Sequence, residues 1–155
     1  MQHYQNGWTL IELAVVMVII TIVSLVVVMR WPGEGINLEA QAQQLASDIR
    51  YTQALAMTRG ERYRINFTAG NYGIAIRTGT AVPHPVIGTN TISFPAGIAL
   101  SSPSSFIVFD GQGSPYTDAT LPGTALAADA VISLSGGGST INVRISPQTG
   151  RVLVQ

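Results

Sequence analysis

Cysteine and lysine are both absent from the 155 residues, and only 10% of the chain is charged. Without cysteine there is no disulfide staple, no thiol nucleophile and no cysteine-rich zinc site. An ordinary soluble domain carries about 25% charged residues, so serine, threonine and other neutral groups supply most of the surface polarity here. Eight basic residues, all arginine, balance eight acidic ones. A net charge of zero argues against a protein that grips duplex nucleic acid through bulk electrostatics. No phosphate-binding P-loop motif occurs, which excludes a nucleotide-driven motor of that kind. The length suits one domain, or one small domain with an appendage.

What the chain has in excess is one hydrophobic run. Between Trp8 and Met29 the only charge is Glu12, and a helix over that stretch would be about 33 Å long, enough to cross a hydrocarbon core. A cleaved secretory signal would begin with cationic residues and end in small ones. Met1 to Gly7 holds no Lys or Arg, and Arg30-Trp31-Pro32 follows the run. The expectation is a transmembrane helix over 8–31. Its orientation is left open, because Arg30 stands close to Glu34 and no other basic residue flanks the span. Glu12 is the odd residue: a carboxylate in an apolar span costs a few kcal/mol unless partnered, and is a functional suspect by default. The plainer alternative is a carboxylate that snorkels into lipid headgroups.

Pro32, Gly33 and Gly35 predict a kink or melted stretch, with Asn37 able to cap a new start. Leu38, Ala42, Leu45, Ile49, Thr52 and Ala56 then recur at helical spacing as an apolar stripe, and Gly60 is a natural stop. An amphipathic continuation over 32–60 is expected, its stripe packed on this protein's own sheet. From Glu61 the period becomes two. Tyr63, Ile65 and Phe67, a turn at Ala69-Gly70-Asn71, then Tyr72, Ile74 and Ile76 read as a hairpin with one buried face. Further strands are expected at Ile92-Ser93-Phe94, Ile98-Ala99-Leu100, Ser105 to Phe109, Ala130 to Leu134, Ile141 to Ile145 and Val152 to Val154. One long helix followed by antiparallel strands is an α+β arrangement, with the β-rich head over 61–155.

Few residues offer chemistry. His84, between Pro83 and Pro85, reads as a loop histidine without a role, too isolated for a triad or a metal cluster. Asp110, Asp118 and Asp129 lie in turn-like segments where aspartate is ordinary. Asp110-Gly111-Gln112-Gly113 lacks the oxygen spacing of an EF-hand. No catalytic, cofactor or metal residue is therefore assigned. Arg62, Arg64 and Arg77 should share the solvent face of the hairpin and, with Arg151, form a candidate anion-binding patch. An ordinary solvated face is the alternative.

Gly7-Trp8-Thr9-Leu10-Ile11-Glu12-Leu13 and the apolar run behind it resemble the prepilin signal of type IV pilins and type II secretion pseudopilins. A helix ending Leu45-Ala46-Ser47-Asp48-Ile49-Arg50-Tyr51, the Phe109-Asp110-Gly111-Gln112-Gly113 turn and the closing Ile145-Ser146-Pro147-Gln148-Thr149-Gly150-Arg151-Val152 resemble the GspH/FimT-like minor branch. The resemblance implies a pilin-like α+β fold, its long N-terminal helix packed on an antiparallel sheet domain. It implies a leader over 1–7 ending in Gly7, removed by a membrane prepilin peptidase, with N-methylation of the new amine on Trp8. Glu12 would pair with the terminal amine of a neighbouring subunit. The leader lacks Lys and Arg, and Trp8 stands where the family usually has phenylalanine. The implied setting is the bacterial inner membrane with a periplasmic head, then a pilus or pseudopilus. Its partners would be other pilin subunits, the peptidase, the assembly platform and lipid. Two other readings are carried: a filament-borne DNA receptor, and a single-pass anchored domain of unrelated function, such as an enzyme. Some FimT-like relatives take up DNA with a Gly-Arg-x-Arg signature; Gly150 and Arg151 match it, and Leu153 holds the second arginine position.

Overall fold

The computed structural model describes the backbone of residues 9–29 and 33–155, and the side chains of residues 9–24 and 37–155. The chain divides between Gly33 and Glu34 into two units.

The first unit contains helix α1 (Leu10–Met29). Thr9 stands before it: its Oγ1 accepts a hydrogen bond from the Glu12 amide at 3.3 Å, and its carbonyl accepts from Glu12 and Leu13 at 3.1 and 3.2 Å. The Thr-x-x-Glu spacing is that of a capping box, and a carboxylate in the first turn also opposes the helix dipole favourably. Beyond Glu12 the described side chains are apolar except Thr21 and Ser24. Thr21 Oγ1 donates to the Met17 carbonyl at 2.8 Å, which satisfies its hydroxyl within the helix. The large apolar side chains are exposed all round, from Leu10 at 87% down to Val16 at 39%. Among the described residues no helix is long and apolar enough to cross a membrane; the side chains described on α1 end at Ser24. The expected break at Pro32 lies outside the described residues.

Helix α2 (Gly33–Arg59) lies in the second unit, all but its first residue. It starts earlier than the Asn37 cap would place it, and Asn37 lies inside the helix. Gly35 is accommodated in the first turn, where a glycine penalty of about 1 kcal/mol is outweighed by the packing that follows. Leu38, Ala42, Leu45, Ile49, Thr52 and Ala56 are each 0% exposed, so the stripe faces inward along its whole length. Gly60, at φ 65°, ends the helix in the left-handed conformation that glycine adopts without penalty.

Two antiparallel sheets meet α2. The first is built on the expected hairpin, β1 (Tyr63–Phe67) and β2 (Asn71–Ile76), in the register Tyr63↔Ile76 to Phe67↔Tyr72. It adds β3 (Ala81–Val82) and β4 (Ile92–Ser93) on β2, β6 (Phe106–Phe109) beside β1, and β7 (Pro115–Tyr116) outside β6. The second runs β10 (Val152–Val154), β9 (Ser139–Ile145), β8 (Ala130–Gly136) and β5 (Ala99–Ser101). The strands at 92–94 and 98–100 are thus shorter or shifted by a residue, and β3 and β7 are additions. Such two-residue strands are fixed by their partners more than by their own sequence.

Inward side chains of both sheets and the α2 stripe form one core. Polar staples complete it. Gln53 Nε2 donates to the carbonyls of Gly113 at 2.8 Å and Thr149 at 2.9 Å, and Arg50 donates to the Val152 carbonyl at 2.9 Å. Gly150 sits beneath this clasp at φ 62°, where an added Cβ would lie 2.5 Å from Gln53 Nε2 and 2.6 Å from the Gly113 carbonyl. Gly150→Ala is expected to destabilise the fold by roughly 2 kcal/mol or more through combined strain and clash, read as a lowered denaturation midpoint. An unchanged midpoint would mean that the clasp yields freely.

Candidate functional site

Three groups of residues bear on function. At the N-terminal end of α1, Gly7 and Trp8 lie outside the described residues. Glu12 is described and exposed, in the first turn and aligned with the capping position of Thr9. That local role was readable from the Thr-x-x-Glu spacing, which the motif resemblance overshadowed.

The arginines stand where the hairpin register puts them. Arg64 pairs with Ala75 across the strands, and the Arg77 amide donates to the Arg62 carbonyl at 2.9 Å, so all three share the face turned from the core. They are half-buried rather than free. Arg62 donates to the carbonyls of Thr120 at 2.6 Å and Pro122 at 2.5 Å and lies 4.3 Å over the Tyr116 ring. Arg77 donates to the Ala119 carbonyl at 3.2 Å. Arg64 stacks 4.9 Å over Phe106. The segment 117–124 therefore lies as a strap across the sheet, with guanidinium groups as its fasteners. Arg151 is exposed beside β10 of the other sheet.

Asp118 organises the strap. Its carboxylate accepts from the Thr120 amide and hydroxyl at 3.0 and 2.7 Å and from the Thr124 amide at 2.9 Å. Hydrogen bonds from Thr124 and then Thr120 lower its pKa to about 2. Asp110 accepts from the amides of Gln112 and Ser114 and from the Tyr116 hydroxyl, as turn chemistry predicts, and Asp129 pairs with Arg144 at 3.2 Å. Among the described residues no group of three or more His, Asp or Glu could hold a metal ion.

The histidine departs from expectation. His84 is only 5% exposed, and its Nε2 lies 2.9 Å from Asp48 Oδ1. Its Nδ1 faces the amides of Val86 and Ile87, both at 3.3 Å. Because an amide only donates, Nδ1 accepts, and the proton of the neutral ring sits on Nε2, aimed at Asp48. Asp48 Oδ2 accepts from the Tyr72 hydroxyl at 2.6 Å, and Gln44 Nε2 donates to both carboxylate oxygens at 3.2 and 3.1 Å. Burial, and then the Asp48 hydrogen bond, push the Tyr72 phenol well above its usual range. Both ring nitrogens are engaged by Asp48 and by the tip amides, so the network has the form of a structural clamp. In the sequence Asp48 stands outside the apolar stripe of α2. Nothing local links it to a loop histidine 36 positions on.

Two outcomes follow. Tyr72→Phe leaves Asp48 one donor short and should cost about 1–3 kcal/mol in denaturant titration. Asp118 has its folded pKa depressed from 3.8 to about 2, so its contribution is full above the unfolded value and is lost as pH falls through the folded one. Asp118→Asn should therefore lower amide protection at Thr120 and Thr124 at neutral pH and flatten its change between about 4 and 2.

Comparison with known proteins agrees with this architecture. Residues 41–149 match the model of the type II transport protein GspH family, and residues 2–28 match the prokaryotic N-terminal methylation motif. No curated protein matches the sequence. Among solved structures, the type IV minor pilin FimU of Pseudomonas aeruginosa superposes with a TM-score of 0.57 at 15% identity, over 76% of this chain and 87% of that one. The minor pseudopilin EpsH from the type 2 secretion system of Vibrio cholerae superposes with a TM-score of 0.58 at 11% identity, over 77% and 96%. At these identities the likeness shows the fold, a helix on antiparallel sheets. The family model spans most of the head and the methylation motif covers the α1 region, so the chain belongs to the type II transport protein GspH family.

Proposed function

We propose that this chain is a filament subunit, a minor pilin or pseudopilin whose mechanism is assembly itself. The observation that carries the reading is the N-terminal methylation motif over residues 2–28, coincident with a helix whose apolar side chains are exposed on every side. Such a surface needs lipid or other helices around it. On this reading 8–31 spans the inner membrane before assembly and the head lies in the periplasm. Prepilin peptidase removes 1–7 after Gly7, and the new amine of Trp8 is methylated. That amine is a cation at the helix tip. Glu12 of a neighbouring subunit is its counter-charge, and the assembly platform moves the pair out of the headgroups into a filament. Lipid already shields the helices from water, so packing and this ion pair set the specificity of assembly. The family is structural rather than enzymatic. The nucleic-acid reading gains no support: Arg62 and Arg77 spend donors on the strap.

Intact mass of the membrane-extracted protein, with and without the peptidase, tests the processing step. Peptidase-dependent loss of 1–7 together with one methyl group is expected; an unprocessed N-terminus in both strains would make this a simple anchor. Glu12→Gln separates the two roles of the carboxylate, because glutamine keeps the capping geometry and loses the charge. The variant should be cleaved normally yet incorporated roughly tenfold less into filaments, as loss of a buried counter-charge implies. Normal incorporation would reduce Glu12 to a helix cap.

A further inference from the structure

We propose that His84 is a protonation-sensitive latch, which holds the apolar loop tip Val86–Ile87 closed when neutral and releases it when the imidazole takes a second proton. The tip is held by little else. Val86 is 87% exposed and Ile87 52%, and a cavity of about 360 Å³, lined in part by Ser47, Tyr51 and Ile87, lies between the loop and α2. Apolar burial therefore contributes little to closure, and the two amide hydrogen bonds to Nδ1 fix the tip. The base of the loop is closed independently, by the His84 amide to the Thr89 carbonyl and the Gly88 amide to the His84 carbonyl, both 2.8 Å. Opening is thus confined to the tip.

The sign follows from the donors. A proton on Nδ1 turns an acceptor into a donor that faces two amide N–H groups, an arrangement that cannot persist. At the other nitrogen the same proton does no harm: Nε2–H still points at Asp48 Oδ1, now as an ion pair. The ring stays anchored on α2, and the backbone of 85–87 gives way. The titratable groups facing the ring are Asp48 and Tyr51 from α2, with the Tyr51 ring centroid 6.4 Å away, and Tyr72 from β2 acting through Asp48. Asp48 is the one carboxylate in this set. The open state binds one proton more than the closed state, and lower pH favours it. The released element is a pair of branched apolar residues on the head, whose presentation would then depend on acidity.

Full-length protein in detergent micelles, labelled with ¹⁵N, provides the test. The imidazole nitrogens report the tautomer and the titration of His84, and amide exchange reports the tip. Protection of the Val86 and Ile87 amides, corrected for intrinsic exchange, should fall about tenfold per pH unit once His84 begins to protonate. The amides of His84 and Gly88 should keep theirs. Unchanged protection at Val86 and Ile87 through the titration would overturn the latch, as would a ring that stays neutral until the fold itself is lost. In His84→Asn the amide oxygen can still accept from the tip but does not titrate, and protection there should be independent of pH. A pH-dependence like that of the parent in this variant would also overturn the proposal.

Discussion

The whole second unit depends on the burial of one helix face. Leu38 through Ala56 is sealed from solvent along its length, and each large apolar side chain on it contributes about 1.5–3 kcal/mol. Because both sheets pack against the same stripe, α2 aligns them with each other. It also supplies the polar groups that lock loops in place. Asp48 reaches His84 and Tyr72, Arg50 holds β10, and Gln53 clasps two turns at once. The Asp110–Gly113 turn and the Pro147–Gly150 turn, far apart in the chain, are thereby neighbours. Their glycines have a physical reason: a side chain at Gly150 would collide with the clasp, and Gly113 has φ 82° with an added Cβ 2.9 Å from the Met57 sulfur.

α1 presents the opposite case. Its apolar side chains are exposed, and on the proposed reading lipid and then other helices supply the favourable energy of covering them. The capping geometry of Thr9 and Glu12 starts the helix cleanly, and it leaves a carboxylate at the end where assembly would need a counter-charge. One four-residue motif thus serves helix initiation and, on the proposed reading, subunit recognition.

Much of this was legible in the sequence where a period or a turn residue carries the information. The α2 stripe, the Tyr63–Ile76 hairpin, the strands after Ala130 and the Gly60 stop all follow from spacing and backbone preference. The Asn37 cap did not, because a cap residue is only one of several ways to satisfy a helix end. β3 and β7 were missed since two-residue strands have no period of their own. The arginine face was read correctly as a face. That its donors would fasten the 117–124 strap depends on a loop far along the chain. The Asp48–His84–Tyr72 clamp was the largest omission, for the same reason: its members come from a helix, a loop and a strand, and only the fold brings them together.

The central claim is that α1 finds its cover in a filament. Quantifying the chain by mass spectrometry in sheared filaments, against the inner-membrane fraction of the same cells, tests it most directly. The account predicts the processed chain among the filament subunits, at low abundance beside a major pilin. Its absence from filaments, with all of it retained in the membrane of cells that assemble them, would contradict the account.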